Sequence, residues 1–315
     1  MVGLDQVLAA QSRIAGQVLR TPVALSDRLS AQAGGEVWLK LENLQTTGAF
    51  KLRGATNAVA RLRDVAGVTT ASTGNHGRAL AHAARARGLR AVICMSRLVP
   101  ANKLEAIRAL GAEARVVGDS QDDAFVEAHR LARDEGFALI PPFDHPDVIA
   151  GQGTLGLEIL DQLPDAASIA VPLSGGGLLA GVAAAAKARR PGLRIIGISM
   201  ERGAAMAASL AAGQPVEVTE MPTLADSLGG GIGLGNRLTF PMVRDLMDDL
   251  ILLSEDQIAA GIRHLASEGH VVEGAAAVGA AAVLAGRLGG PFPLVLILSG
   301  ANIDPTTHAD ILRAA

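Results

Sequence analysis

The chain has 315 residues, 49% hydrophobic and 19% charged, enough for one large α/β domain or two smaller lobes and too apolar for a disordered polymer. A net charge of -3, with no basic block, gives no electrostatic footprint for nucleic acid or an anionic membrane. Cys94 is the only cysteine, which excludes an intrachain disulfide and a cysteine cluster for zinc. With no signal-peptide pattern over Met1 to Ala10 and no apolar run near the roughly 20 residues of a spanning helix, a cytoplasmic protein without a membrane partner is expected.

Short β-branched runs alternate with alanine-rich segments of helical period. In chain order, strands are predicted at 37–42, 68–72, 91–95, 114–117, 138–140, 169–173, 195–200, 250–253 and 294–298. Helices are predicted between them at 53–62, 76–87, 102–110, 122–135, 156–163, 178–188, 255–269 and 275–288. Several strands are apolar at consecutive positions, as in strands covered on both faces, so the pattern predicts α/β architecture with mainly parallel sheets flanked by helices. One compact sheet does not need so many strands. Two lobes are therefore expected, residues 44–147 forming the smaller and 1–43 with 148–315 the larger. The glycine-rich segment 224–236 reads as a loop packed against backbone or ligand.

Only four of the 28 basic residues are lysines, at Lys40, Lys51, Lys103 and Lys187. Lysine can form a Schiff base with an aldehyde cofactor and arginine cannot, so any imine chemistry must use one of these positions. A strand points Lys40 away from its apolar neighbours. Lys103 falls on the polar side of a helix, and Lys187 at a helix end suits a solvated cation. Lys51 follows Thr46-Thr47-Gly48-Ala49-Phe50 and opens a helical run; the competing reading is a surface lysine at a helix start.

Three glycine loops follow strands or mimic a motif. Ser174-Gly175-Gly176-Gly177, between the strand at 169–173 and a helix starting near Leu178, can converge N–H groups on a single phosphate; a tight strand–helix turn is the alternative. No Lys-Ser/Thr follows, so it is not a nucleoside-triphosphate loop. Ser72-Thr73-Gly74-Asn75-His76 places two hydroxyls, an amide and main-chain donors at a helix N-terminus, a receptor for a carboxylate, though N-capping alone would use the same residues. Gly151-Gln152-Gly153-Thr154-Leu155-Gly156 matches G-x-G-x-x-G but follows no apolar strand, and close helix packing explains it better than a dinucleotide.

Lys51, the Ser-Thr-Gly-Asn-His-Gly loop and the Ser-Gly-Gly-Gly-Leu turn, in this order, resemble the fold-type-II pyridoxal-phosphate enzymes, and most closely the threonine/serine dehydratases and serine racemase. Segment 223–237 looks most like the hydroxyectoine utilisation dehydratases. The resemblance implies a two-lobed, tryptophan-synthase-β-like architecture. In it the larger lobe binds pyridoxal 5'-phosphate, the smaller one moves, and two copies form a homodimer. It also implies a set of residue roles. Lys51 carries the cofactor, flanked by Phe50; Ser174, Gly175, Gly176, Gly177 and Leu178 hold its phosphate. Asn75 and Glu273 lie beside the ring, with a solvated helix glutamate as the alternative for Glu273, and Ser299 faces the ring nitrogen. Ser72, Thr73, Gly74, Asn75 and His76 bind the substrate, an amino acid.

Thr73 stands where serine racemase uses a serine as acid/base on the second face, and its more constrained hydroxyl argues against racemisation. Ser199 and Ala205 replace acidic cation ligands of many relatives, so no metal is expected. The implied reaction is β-elimination from a small β-hydroxy amino acid, threonine- or serine-like or derived from hydroxyectoine, giving a 2-oxo acid and ammonia. Racemase or β-replacement chemistry on the same cofactor is the alternative, and His76 favours the dehydratase branch. A binding or regulatory protein without turnover would not need Lys51.

Overall fold

The computed structural model describes residues 1–314 except Thr73 and Pro100, with main chain only at Asn102 and Gln121. Thr73, expected to serve catalysis and substrate binding, therefore lies outside the described residues. The strands are β1 Val23–Leu25, β2 Val37–Lys40, β3 Gly67–Ala71, β4 Ala91–Met95, β5 Glu113–Val116, β6 Phe137–Leu139, β7 Ser168–Pro172, β8 Arg194–Met200, β9 Asp249–Leu253 and β10 Leu294–Ile297. Six form one sheet in the order β1-β2-β10-β7-β8-β9, and four form a second in the order β5-β4-β3-β6. Among the described residues every pairing is parallel except β1 with β2. β3, β4, β7 and β10 are buried along their whole length, which is why they read as unbroken apolar or small-residue runs.

The short antiparallel β1 has no expected counterpart, because three half-exposed residues carry no measurable period. Five helices also lie where none is predicted: Leu4–Ile14, Asp27–Ala33, Ala205–Ala212, Thr239–Leu246 and Pro305–Arg313. Thr239–Leu246 shows why. Its N-cap residue supplies no side-chain bond. Instead Asp144, far away in sequence, accepts the N–H groups of Arg237, Leu238 and Thr239 at 2.8–2.9 Å.

Helix Pro146–Gln162 starts ten residues before the predicted 156 and carries the G-x-G-x-x-G segment in its middle. A Cβ on Gly151 would lie 2.6 Å from the Arg53 carbonyl, on Gly153 2.9 Å from that of Gly181, and on Gly156 2.8 Å from that of Val182. These glycines let neighbouring helices approach, as the sequence suggested. Alanine plays the same part in Gly274–Leu284, buried from Gly274 to Val283 against helix Glu255–Ser267 and the larger sheet. The glycine-rich segment 224–236 is irregular apart from the 3-10 turn Asp226–Leu228. Its start packs against backbone, since a Cβ on Gly274 would lie 2.1 Å from the Leu224 carbonyl oxygen; further on, Gly233 and Gly235 face open space, and Gly230 and Gly233 supply positive φ angles of 87° and 79°.

Lys40 overturns its expected place. It is fully buried, and its three donors are used by the Thr21 carbonyl at 2.6 Å, Glu158 Oε1 at 2.6 Å and Gln162 Oε1 at 2.8 Å. Helix Pro146–Gln162 covers the side of the sheet that the alternating pattern assigned to solvent. Lys187 reaches Asp248 at 2.7 Å and Lys103 reaches Asp226 at 3.4 Å, both at partly exposed positions.

Candidate active site

β10 and β7 lie side by side in the larger sheet, and their C-terminal ends lead into Ser299 and Ser174. A crevice outside the carboxyl ends of parallel strands is where α/β sheets bind ligands. The segment before Lys51 is stitched to this edge. Ala49 bridges Gly300, the Phe50 N–H donates to the Ser299 carbonyl at 3.0 Å, and Ala301 N–H donates to the Gly48 carbonyl at 2.8 Å. Gly48 has φ 75°, and a Cβ there would lie 2.7 Å from Asn302 Oδ1, so the turn needs glycine twice over.

Lys51 opens helix Lys51–Arg61 at the floor of the crevice. Its Nζ donates to the Pro142 carbonyl at 2.8 Å and lies 5.3 Å from the centre of the Phe50 ring. Burial lowers its pKa to about 8, with the Glu273 charge opposing. A surface lysine at a helix start would keep its ordinary value. The structure thus gives a lysine whose neutral amine is accessible near neutral pH.

Asn75 starts helix Asn75–Ala86 directly after β3. Its Nδ2 donates to both Glu273 oxygens, at 2.9 and 3.1 Å. Its Oδ1 accepts from Asn302 Nδ2 at 2.6 Å. The same Nδ2 serves the Thr47 carbonyl at 3.0 Å, while Asn302 Oδ1 accepts from Arg78 Nη1 at 2.6 Å. Each amide in the chain Arg78–Asn302–Asn75–Glu273 is therefore held in one orientation. Glu273 is 3% exposed, which removes the solvated-helix reading, and burial raises its pKa while the Asn75 amide opposes.

His76 is buried beside these groups. Nε2 contacts the Ile140 carbonyl at 2.8 Å and Nδ1 has no partner among the described residues, so the ring is neutral with its proton on Nε2. Burial, with Lys51 adding to it, lowers its pKa to about 3. The tight turn into this helix puts Ser72 main chain where any Cβ on Gly77 would sit. Ser72 and Gly74 are half-buried in the same loop.

The glycine turn after β7 ends at Gly176, whose φ of 85° caps helix Gly177–Arg189. The main-chain N–H groups of Gly175, Gly176, Gly177 and Leu178 are buried and have no acceptor among the described residues. Buried N–H groups at a helix N-terminus demand a partner, and a phosphate supplies one. This donor set fits the phosphate of the expected cofactor. The turn is also tied to Lys51 by a segment absent from the expected site. A Cβ on Gly175 would overlap the Phe143 ring, and one on Gly177 would sit 3.0 Å from Phe143 Cα. Phe143 is the residue after Pro142, which receives Lys51.

The crevice thus gathers Phe50, Lys51, Asn75, His76, Glu273 and Ser299, with Ser174 to Leu178 joined through Pro142–Phe143. Sequence reasoning missed Pro142, Phe143, Asn302 and Arg78. Pro141-Pro142-Phe143-Asp144 carries no helix or strand period, and Asn302 stands three residues after Ser299 with no signal of its own. Where Ser199 and Ala205 stand, Ser199 Oγ contacts Met200 Sδ at 3.3 Å, and no group of three potential metal ligands occurs among the described residues.

Comparison with known proteins identifies the family and several relatives of the chain. A family model described as "Pyridoxal-phosphate dependent enzyme" matches residues 14–300. A Sinorhizobium fredii protein provisionally named threonine dehydratase is 55% identical over 317 residues, covering 99% of this chain and 96% of that one. An L-threonine ammonia-lyase of Thermotoga maritima is 41% identical, covering 96% of this chain and 76% of its own. Among solved structures, maize serine racemase superimposes with a TM-score of 0.92 at 36% identity, covering 99% of this chain and 97% of its own.

Proposed function

The chain belongs to the pyridoxal-phosphate dependent enzymes, and on that premise we propose how its own residues divide the work of a lyase acting on a small β-hydroxy amino acid. The protein is a pyridoxal-phosphate-dependent dehydratase of the threonine/serine ammonia-lyase type. The observation that carries the residue assignment is the meeting, at one strand edge, of a lysine of lowered pKa with a turn of unpartnered buried N–H groups.

When bound, the cofactor supplies an aldehyde for an amine and a ring that accepts the electron pair left at the substrate's α-carbon. Gly175, Gly176, Gly177 and Leu178 would hold its phosphate with main-chain N–H groups, beside Ser174. Ser299 would offer the ring nitrogen a neutral hydroxyl, and Asn75 would offer the phenolic oxygen an N–H that it gives to Glu273 in this structure. Ser72, Thr73, Gly74 and the N–H groups opening helix Asn75–Ala86 hold the substrate carboxylate. Lys51 Nζ takes the α-proton, for which a pKa near 8 suits an amine at physiological pH. The neutral His76 adds no charge that would reprotonate the α-carbon. Loss of the β-hydroxyl as water leaves an enamine, whose hydrolysis gives a 2-oxo acid and ammonia.

The finer assignments are proposals as well. The substrate is threonine, serine or an amino acid formed from hydroxyectoine, the last favoured by segment 223–237. The protein works as a cytoplasmic homodimer, with residues 44–147 as the mobile smaller lobe and 1–43 with 148–315 as the cofactor-binding one. The separate four-stranded and six-stranded sheets support this division. Racemisation is the competing chemistry, supported by the likeness to maize serine racemase.

A panel of β-hydroxy amino acids assayed for ammonia and 2-oxo acid, with the chirality of residual substrate followed in parallel, tests this reading. Ammonia release lost in Lys51→Ala supports it. Inversion of configuration without ammonia release would replace it with racemisation.

A further inference from the structure

Two residues beyond Lys51, and unused by the proposed chemistry, Arg53 enters a fully buried cluster of four charged groups. Its Nε and Nη2 bond Glu42 at 2.8 and 2.7 Å, and its Nη1 bonds Glu158 at 2.9 Å and Thr154 Oγ1 at 3.3 Å. Nη2 also donates to the Leu19 carbonyl at 3.2 Å. All five guanidinium donors are therefore used. Glu158 is shared with Lys40 at 2.6 Å, and Thr21 Oγ1 donates to Glu42 at 2.5 Å. Two cations balance two carboxylates in a region where none of the four is more than 6% exposed. The paired Arg53 holds Glu42 below the usual carboxylate range even though burial alone would raise it.

We propose that Arg53 is a positioning residue for Lys51, which acts through this cluster on the orientation of the amine; the inference rests on Lys51 being the catalytic lysine. Helix Lys51–Arg61 begins without a side-chain cap or an acidic first turn, so nothing local fixes its start. Residues two apart on a helix point about 200° apart, so Lys51 faces the crevice and Arg53 the body of the protein. The segment before Lys51 is bonded to Ser299–Ala301, and the helix itself is gripped from helix Pro146–Gln162. Glu158 and Thr154 grip Arg53, and Gln152 Oε1 accepts the Gly54 N–H at 3.2 Å. The acceptor of Lys51 Nζ, Pro142, lies just before the same helix. Backbone and amine of Lys51 are thus referred to one rigid element.

Arginine's planar fork is required for this and lysine cannot reproduce it. Arg53→Lys keeps the charge while losing the bidentate grip, and is expected to lower kcat on the order of 100-fold with little change in KM, the scale for a misplacement near 1 Å. The decisive background is Lys51→Ala holoenzyme rescued with methylamine, where a diffusing amine needs no anchored backbone. Adding Arg53→Lys there should lower the rescued rate less than about twofold. Lys40→Met, at the far end of the cluster, should lower Tm and reduce kcat less than Arg53→Lys does, because the contacts of Arg53 to Glu42 and Thr154 remain. Should Arg53→Lys not fold, Thr154→Val removes one contact of the same guanidinium and is expected to show the same dependence on background. Equal losses with and without Lys51, or wild-type kcat in folded Arg53→Lys, would overturn the proposal. Full activity in unrescued Lys51→Ala would instead overturn the assignment of Lys51 itself.

Discussion

Lys51 Nζ and the Pro142 carbonyl meet at 2.8 Å, and that one bond joins the amine to a segment that touches three other parts of the protein. Phe143 rests on the glycine turn, Asp144 caps helix Thr239–Leu246, and His145 caps helix Pro146–Gln162 through its ring nitrogen. Pro142 and Phe143 thus link the lysine to the glycine turn, and Asp144 and His145 anchor that link to two helices.

The lowered Lys51 pKa predicts how the cofactor-free protein takes up pyridoxal 5'-phosphate. The neutral amine is the reactive form, and burial favours it. The reconstitution rate should rise about tenfold per pH unit below about 8 and level off above it. Stopped-flow reconstitution across that range checks this; a rate still climbing at pH 10 contradicts it.

His76 predicts acid sensitivity. Its folded pKa of about 3 lies below the ordinary 6.5, so unfolding takes up a proton between those values and stability falls as pH drops through that window. The slope approaches about 1.4 kcal/mol per pH unit at most. His76→Gln, which keeps a donor for Ile140, should flatten this part of the curve in urea unfolding at pH 7 and pH 4.5. An unchanged slope would assign the acid sensitivity to other groups.

Gly175→Ala should weaken cofactor binding at least about tenfold, because a Cβ cannot share space with the Phe143 ring and the packed turn must shift. Adding Phe143→Ala opens that space and should restore part of the affinity, measured by fluorescence titration of the cofactor. If the double variant binds no better than Gly175→Ala, the clash is not the cause.

Arg78→Met leaves Asn302 Oδ1 without its donor and loosens the relay, which then rests on the Thr47 carbonyl and Glu273 alone. The loss of one charge-assisted bond, about 1.5–3 kcal/mol, should appear as a shift in the visible spectrum of the holoenzyme and a several-fold lower kcat. A spectrum and kcat identical to the wild type would show that Asn75 is oriented by other contacts.

Strands were legible wherever burial covered both faces. β4 lies where the apolar run 91–95 puts it, while β1 escaped because it is short and Thr239–Leu246 because Asp144 caps it from a distance; Ser26 and Asp304 cap Asp27–Ala33 and Pro305–Arg313 locally, start signals that were legible and not used. The glycine helix 146–162 was read as starting late because its glycines weaken local propensity; they are kept for the close approach of Arg53, Gly181 and Val182.

By itself the sequence determined the α/β alternation, the lysine able to form an imine, the glycine turn and the asparagine loop, since each is written in adjacent residues. Only the tertiary structure decided that Lys40 is a buried ion-pair partner and not a solvated cation, and that Glu273 is a buried partner of Asn75. It alone brought Pro142 to Lys51 and Arg78 to Asn302. These are pairings across scores of residues, and they depend on which helix covers which face of a sheet. Local composition cannot encode that choice, because a charged side chain in a strand reads the same whether water or a carboxylate waits on its side.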